Sequence, residues 1–158
     1  MVDEVQYLTQ EGMESLEKRL NYLTKVRRPE IAERLRQALE DGGELTENTE
    51  YEDAKNEQAF IEGEIVRIDR ILRNAKLIEA TGDTNKVHIG SVVTVKEKGA
   101  DDAEEYRLVG PAEANPREGK ISTESPLGKA LLGSKVGDKV KIKAPDGDIT
   151  FVIQEISF

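Results

Sequence analysis

Apolar residues in the first half of the chain recur at intervals of four and three. Leu16, Leu20 and Leu23 are followed by Ile31, Leu35 and Ala38 in the same rhythm, which predicts a long helix carrying a narrow apolar stripe. Thr9 is placed to cap its start. Pro29 interrupts the run, so a break or kink is expected near Arg27-Arg28, with Pro29 in the first turn of the continuing helix. A second series is cleaner: Ile61, Ile65, Ile68, Leu72 and Ala75 alternate four-three-four-three, with Ala54 one heptad before Ile61. A seam this narrow suits two packed helices. Between the series lies Asp41-Gly42-Gly43-Glu44-Leu45-Thr46-Glu47-Asn48. Paired glycines stop a helix, and Thr46 or Asn48 can cap the next. A short loop between long amphipathic helices predicts an antiparallel hairpin, with arms of about 25–30 residues extending on the order of 40 Å.

The second half switches to period two. Strands are predicted at Ser91–Lys96, Glu105–Val109, Lys120–Ser122, Lys139–Lys143 and Thr150–Ile156. Pro145 to Asp148 reads as a turn between the last two. Pro126–Leu132 predicts one short helix, with Pro126 at its first position and Gly133 ending it. Residues 1–78 therefore read as a helical hairpin, 79–86 as a linker, and 87–158 as a small globular domain with an antiparallel sheet and one helix. The fold class is α+β.

Composition sharpens this picture. Of 158 residues, 37% are hydrophobic, 4% aromatic and 35% charged, with no Trp. That balance fits much exposed helical surface around one small core. The net charge of −9 makes free nucleic acid a poor partner, because non-specific binding relies on Lys and Arg neutralising phosphates. With no Cys, disulfides and thiolate metal sites are excluded. The start lacks the basic and apolar regions of a signal peptide, and no apolar run approaches the roughly 20 residues that span a bilayer. A cytoplasmic protein with no membrane partner is expected.

Candidate chemistry is sparse. His88 is the only histidine, so histidine metal clusters are excluded, and it is expected at a strand start without a catalytic role. Gly42-Gly43 lacks the strand and Lys-Ser/Thr of a phosphate loop. What remains is an acidic apex: Glu40, Asp41, Glu44, Glu47, Glu50, Glu52 and Asp53, with no Lys or Arg among residues 40–53. Helix electrostatics accounts for Glu47 and Glu50, but not for Glu44 in the preceding loop. Two exposed carboxylates could form half of a site for a hard cation such as Mg²⁺, which takes oxygen ligands and shares them with phosphate. A solvated acidic face is the competing reading.

The residues also resemble a known family. Leu23 to Ile31 is similar to the first-helix signature of the Gre-family bacterial transcript-cleavage factors, GreA-type. Gly43-Glu44-Leu45-Thr46-Glu47-Asn48-Thr49-Glu50-Tyr51 resembles their tip, and Ala54–Gln58, Phe60–Gly63 and Ser125–Gly133 continue the match in register. The resemblance implies a coiled-coil hairpin followed by a domain of FKBP-like topology. It implies a factor, not itself an enzyme, that docks through its globular domain on the rim of the secondary channel of RNA polymerase. The hairpin then passes down the channel and stimulates the polymerase's own hydrolysis of backtracked nascent RNA. Glu44 and Glu47 fall on the pair that assists in trans, holding Mg²⁺ shared with the polymerase and positioning water; no cofactor is expected on the chain alone. Docking is expected at Ser125, Pro126, Leu127, Lys129 and Leu131, where Leu127, Leu131 and Leu132 read equally as core. Contact with the RNA 3′ end is expected at Lys55.

Two positions depart from the family pattern. Glu44 stands where Asp is usual, adding a methylene of reach. Leu39 and Thr46 stand where basic residues are common, leaving a small basic patch around Lys55 that Arg34 and Arg36 could extend only from the same face. Some relatives inhibit polymerase from the same channel, but the intact Glu47-Asn48 and Glu50-Tyr51 favour stimulation. A prolyl isomerase would need an aromatic-lined pocket, and the second half offers only Tyr106, Phe151 and Phe158. A coiled-coil adaptor would not need the loop motif.

Overall fold

The structure, a computed structural model, describes residues 4–41 and 48–158. By internal contacts the chain divides into a helical unit, Met13–Asn74, and a sheet-bearing unit formed by the residues up to Gly12 together with Ala75–Phe158.

The helical unit is built from α1 (Gln10–Tyr22), α2 (Arg28–Asp41) and α3 (Thr49–Arg73). Its core is the predicted seam: Leu23, Ile31, Ile61, Ile65 and Ile68 are buried, flanked by Leu16, Leu20, Leu35 and Leu72. Between α1 and α2 the chain forms a π-helical turn, Leu23–Arg27, and the amide of Arg28 bonds back to the carbonyl of Leu23. The break or kink expected near Arg27-Arg28 is therefore an expanded turn in a continuing helix, with Pro29 in the first turn of α2 as expected. The apolar spacing supplies a reason: Leu23 to Ile31 is eight residues, one more than two α-turns absorb. Without compensation the stripe would rotate by about 100°. The π turn takes up the extra residue and returns Ile31 to the face of Leu23. It also precedes Pro29, which has no N–H to offer the turn before it.

In the sheet-bearing unit, α1 begins as expected, with the Gly12 amide bonding Thr9 Oγ1 at 3.0 Å. Glu113 accepts from both the Thr9 amide and its hydroxyl. Two short strands were not foreseen. β1 (Gln6–Leu8) pairs in parallel with β2 (Ala75–Leu77), so Ala75, which prolongs the heptad rhythm in sequence, ends in a strand after the helix closes at Asn74. Three-residue strands are too short to show alternation.

The main sheet has five strands in the order β5-β4-β3-β7-β6: β3 (Val92–Glu97), β4 (Glu104–Val109), β5 (Lys120–Ser122), β6 (Lys139–Ala144) and β7 (Gly147–Ser157). It is mixed, not purely antiparallel, because β4 and β5 run parallel, Arg107 opposite Lys120. Two 3-10 turns, Pro111–Glu113 and Pro116–Glu118, carry the chain back to the starting end of β4, a return that a tight hairpin cannot make. Ile153 and Ile156, three apart, both face the core, because the register of β3 against β7 shifts between Thr94 and Val95. An extra residue at such a bulge resets the alternation. Helix α4 (Pro126–Leu131) starts at the Ser125 cap, whose Oγ accepts the Gly128 amide at 3.0 Å, and packs Leu131 into the core.

Gly128 marks where α4 meets β5. A Cβ there would lie 1.9 Å from the Ser122 carbonyl oxygen, a backbone atom that cannot swing aside. Gly128→Ala is expected to lower stability by about 1–3 kcal/mol, the usual cost of forcing atoms into a packed site. Urea unfolding followed on the sheet-bearing unit checks it; an unchanged midpoint would contradict the close approach.

Candidate functional site

The end of the hairpin is organised by Asn48. It is 6% exposed, and its Nδ2 donates to the Ala38 carbonyl of α2 at 2.7 Å while its Oδ1 accepts the Tyr51 amide at 3.1 Å. One side chain thus caps α3 and ties it across to α2. Of the two caps weighed from sequence, Asn48 fills the role. Glu44 and Glu47 lie outside the described residues, in the segment that departs from Asp41 and returns at Asn48. The neighbouring acids are described. Glu40 is held by Arg36 at 2.6 Å, and Glu50 and Glu52 are exposed in the first turn of α3, where the helix field favours negative charge.

Further back, ion pairs cross between the arms. Arg19 grips Glu64 through two bonds of 2.9 and 3.1 Å. Arg28 does the same to Glu62 at 2.7 and 2.8 Å. Glu57 bridges Arg27 and Arg34. The bond from Arg28 holds the Glu62 carboxyl below its ordinary value, and the bond from Arg19 does so for Glu64. Glu57 was not singled out by sequence reasoning. Its signal would have been its place opposite two arginines once the arms are set antiparallel.

Lys55 is exposed. Its Nζ bonds Gln58 at 3.3 Å and sits 5.9 Å from the Tyr51 ring centroid, so its charge faces outward. Arg34 and Arg36 do not extend a patch around it. Arg34 is spent on Glu57 across the arms, whereas Arg36 pairs with Glu33 and Glu40 along its own helix.

The expected docking residues separate by burial. Pro126 and Lys129 are exposed, Ser125 and Leu127 are half-buried, and Leu131 is 0% exposed inside the core. Leu131 thus supports the surface from beneath. Leu132 and Val136 present the apolar area there instead, at 46% and 54% exposure.

His88 bonds Asp83 at 2.9 Å through Nε2, and its amide donates to Ser91 Oγ. This contact lowers the Asp83 carboxyl and pins the loop before β3. Among the described residues no group of three or more His, Asp or Glu could hold a metal ion. No described helix is long and apolar enough to cross a membrane.

Comparison with known proteins bears on both units. A family model described as the C-terminal part of transcription elongation factor GreA/GreB matches residues 82–158, and one for the N-terminal part of such factors matches residues 6–77. The chain belongs to the GreA/GreB family of transcription elongation factors. It is 48% identical to transcription elongation factor GreA of Clostridium novyi, over 99% of both chains. It is 46% identical to that of Bacillus subtilis, over 95% of each. Among solved structures, GreA factor homolog 1 of Thermus thermophilus is 34% identical, covering 98% of this chain and 99% of that one, with a TM-score of 0.45. Membership makes the chain a transcription elongation factor, and the helical hairpin followed by a sheet domain is what this family's bipartite sequence builds here.

Two outcomes test the clasp and the cross-arm pairs. Asn48→Asp keeps a cap acceptor but loses donation to Ala38, and is expected to cost about 0.5–1.5 kcal/mol for the hydrogen bond lost; Asn48→Ala should cost about 0.5–2 kcal/mol more for the lost cap. Thermal melts followed by helical circular dichroism resolve both. Separately, the Glu64 carboxyl is depressed on folding, so its contribution is present above the ordinary glutamate value of 4.5 and is lost as pH falls through the lower folded value. Glu64→Gln should therefore lower the melting temperature at pH 7, with a deficit that shrinks as the pH falls below 4.5; a deficit that does not change with pH would show that the ion pair is not the cause.

Proposed function

We propose that this elongation factor binds RNA polymerase through its sheet-bearing unit and enters the secondary channel with its hairpin. There it stimulates the polymerase's hydrolysis of backtracked RNA, freeing arrested complexes. The observation that carries the reading is the continuity of the family match through both units, with the acidic segment sited between two helix ends that Asn48 ties together. A cation-assisting group must be delivered to a fixed place, and the Asn48 clasp fixes the two helix ends from which it is presented.

The roles divide along the chain. Pro126, Lys129 and Leu132 form the docking surface, with Ser125 and Leu127 shaping it and Leu131 bracing it from the core. Lys55 carries an outward positive charge toward the RNA 3′ end. Glu44 and Glu47 would hold Mg²⁺ together with ligands of the polymerase, their carboxylate oxygens suiting a hard ion that keeps water and shares phosphate. Such an ion, when bound, polarises the phosphoryl group and acidifies its water. The factor itself supplies charge and position; the chemistry belongs to the polymerase active site, within the cytoplasm where transcription proceeds.

Glu44→Gln and Glu47→Gln are each expected to slow transcript shortening in a stalled, backtracked elongation complex by at least about tenfold, equal to about 1.4 kcal/mol at the transition state. Binding should be unchanged, and Glu44→Asp should retain or raise activity. Variants that cleave normally would reduce the acidic loop to a solvated helix end. Wild-type factor that binds without accelerating cleavage would make the chain an inhibitor.

A further inference from the structure

Of the eight arginines in the helical unit, six (Arg19, Arg27, Arg28, Arg34, Arg36 and Arg73) make ion pairs. Arg67 and Arg70 make none with the described residues. Both are exposed on α3, and they share a face with Phe60 and Gly63, at intervals of three and four. Phe60 is 73% exposed, more than any other large apolar side chain described. Gly63 sits in the middle of a 25-residue helix, where glycine is the weakest ordinary helix former. Internal packing gives no reason for it, because a Cβ at Gly63 would meet nothing within 4 Å. The absent side chain leaves a groove of about 510 Å³ lined by Arg19, Ala59, Phe60, Gly63, Glu64 and Arg67. Across the seam, the pairs Arg19–Glu64 and Arg27–Glu57 set residues 19–27 against 57–64. That stretch contributes Tyr22 and Val26, exposed by 44% and 41%.

We propose that this flank of the hairpin is a docking surface for a protein wall presenting an apolar side chain rimmed by carboxylates. The apolar group seats beside Phe60 over Gly63, where only hydrogen separates it from the helix backbone. The carboxylates meet Arg67 and Arg70. A polyanionic occupant fits less well. Residues 1–78 hold 18 acids and 12 bases, which repels a run of phosphates. Discrete carboxylates are attracted locally without that penalty by Arg70 and by Arg67, which makes no direct ion pair and feels only the nearby Glu64 charge. The surface rests on the function proposed above, in which the wall belongs to the polymerase channel, and it would hold the hairpin laterally while the tip is engaged.

The test uses full-length variants competing with labelled wild-type factor for RNA polymerase. Phe60→Ala and Arg67→Glu/Arg70→Glu should each weaken competition at least about tenfold, the effect of removing a well-packed anchor. Gly63→Leu is the decisive variant: it should raise the melting temperature, because leucine favours helix, and yet weaken competition by filling the groove. Variants that compete like wild type would overturn this surface while leaving the proposed function standing. Wild type that fails to bind polymerase at all would overturn both. A wild-type dimer by light scattering that Phe60→Ala converts to monomer would replace the polymerase with a second copy of the chain and overturn the proposal. Binding of a free single-stranded RNA oligonucleotide, lost in the same variants, would overturn it in favour of RNA.

Discussion

The helical unit depends on a single apolar seam between two arms, with no third layer to share the work. Leu23, Ile31, Ile61, Ile65 and Ile68 are nearly all that is fully withdrawn from water there, and each such side chain contributes about 1.5–3 kcal/mol. A heptad seam alone tolerates sliding by one repeat, since apolar residues would again face apolar residues. What removes that freedom is polar. Arg19–Glu64, Arg28–Glu62 and the shared Glu57 find their partners in only one register, and Asn48 finds the Ala38 carbonyl in only one. The exposed pairs add little stability individually. Their effect is to make every slipped alignment worse, so that the end of the hairpin falls at a defined residue.

The π turn belongs to the same constraint. An eight-residue interval in a seven-residue rhythm obliges the chain either to abandon the stripe or to absorb a residue, and it absorbs one at Leu23–Arg27. This was legible: the count from Leu23 to Ile31 predicts one surplus residue, and Pro29 predicts where the helix can least afford ordinary bonding. The proline alone predicts only a break or kink near Arg27-Arg28, without saying which. Arg27 and Arg28 are adjacent in sequence, and each reaches a carboxylate across the seam, Glu57 and Glu62.

Elsewhere, legibility followed length. Strands of six residues or more announced themselves by alternation, and their bounds moved by a residue or so, apart from β7, which begins three residues earlier. The three-residue strands β1 and β2 did not, whereas the equally short β5 is an exception, its bounds Lys120–Ser122 being those expected from the sequence. The parallel placement of β5 was nonetheless hidden. It is decided by the path between β4 and β5, where the two 3-10 turns left a signal only as Pro111 and Pro116. Among the docking residues, Leu127, Leu131 and Leu132 look alike in sequence. A six-residue helix capped by Ser125 turns Leu131 inward and leaves Leu132 at its end, facing out.

The distribution of charge within the hairpin separates structural from functional residues better than residue type does. Arginine and glutamate are abundant on both arms, so composition predicts only a solvated, salt-bridged surface. Once the arms are aligned, most of those charges are accounted for by a partner along or across the helices. Two features stand out beside those pairs. One is the end of the hairpin, where residues 40–53 carry seven acids and no base, an excess that helix capping does not require. The other is the flank of α3 where Arg67 and Arg70 stand beside Phe60 and Gly63. An acidic excess at the apex and a cationic, apolar stripe along one flank are opposite in sign and chemistry, which is what a hairpin needs if its tip is to meet a cation while its side rests on protein.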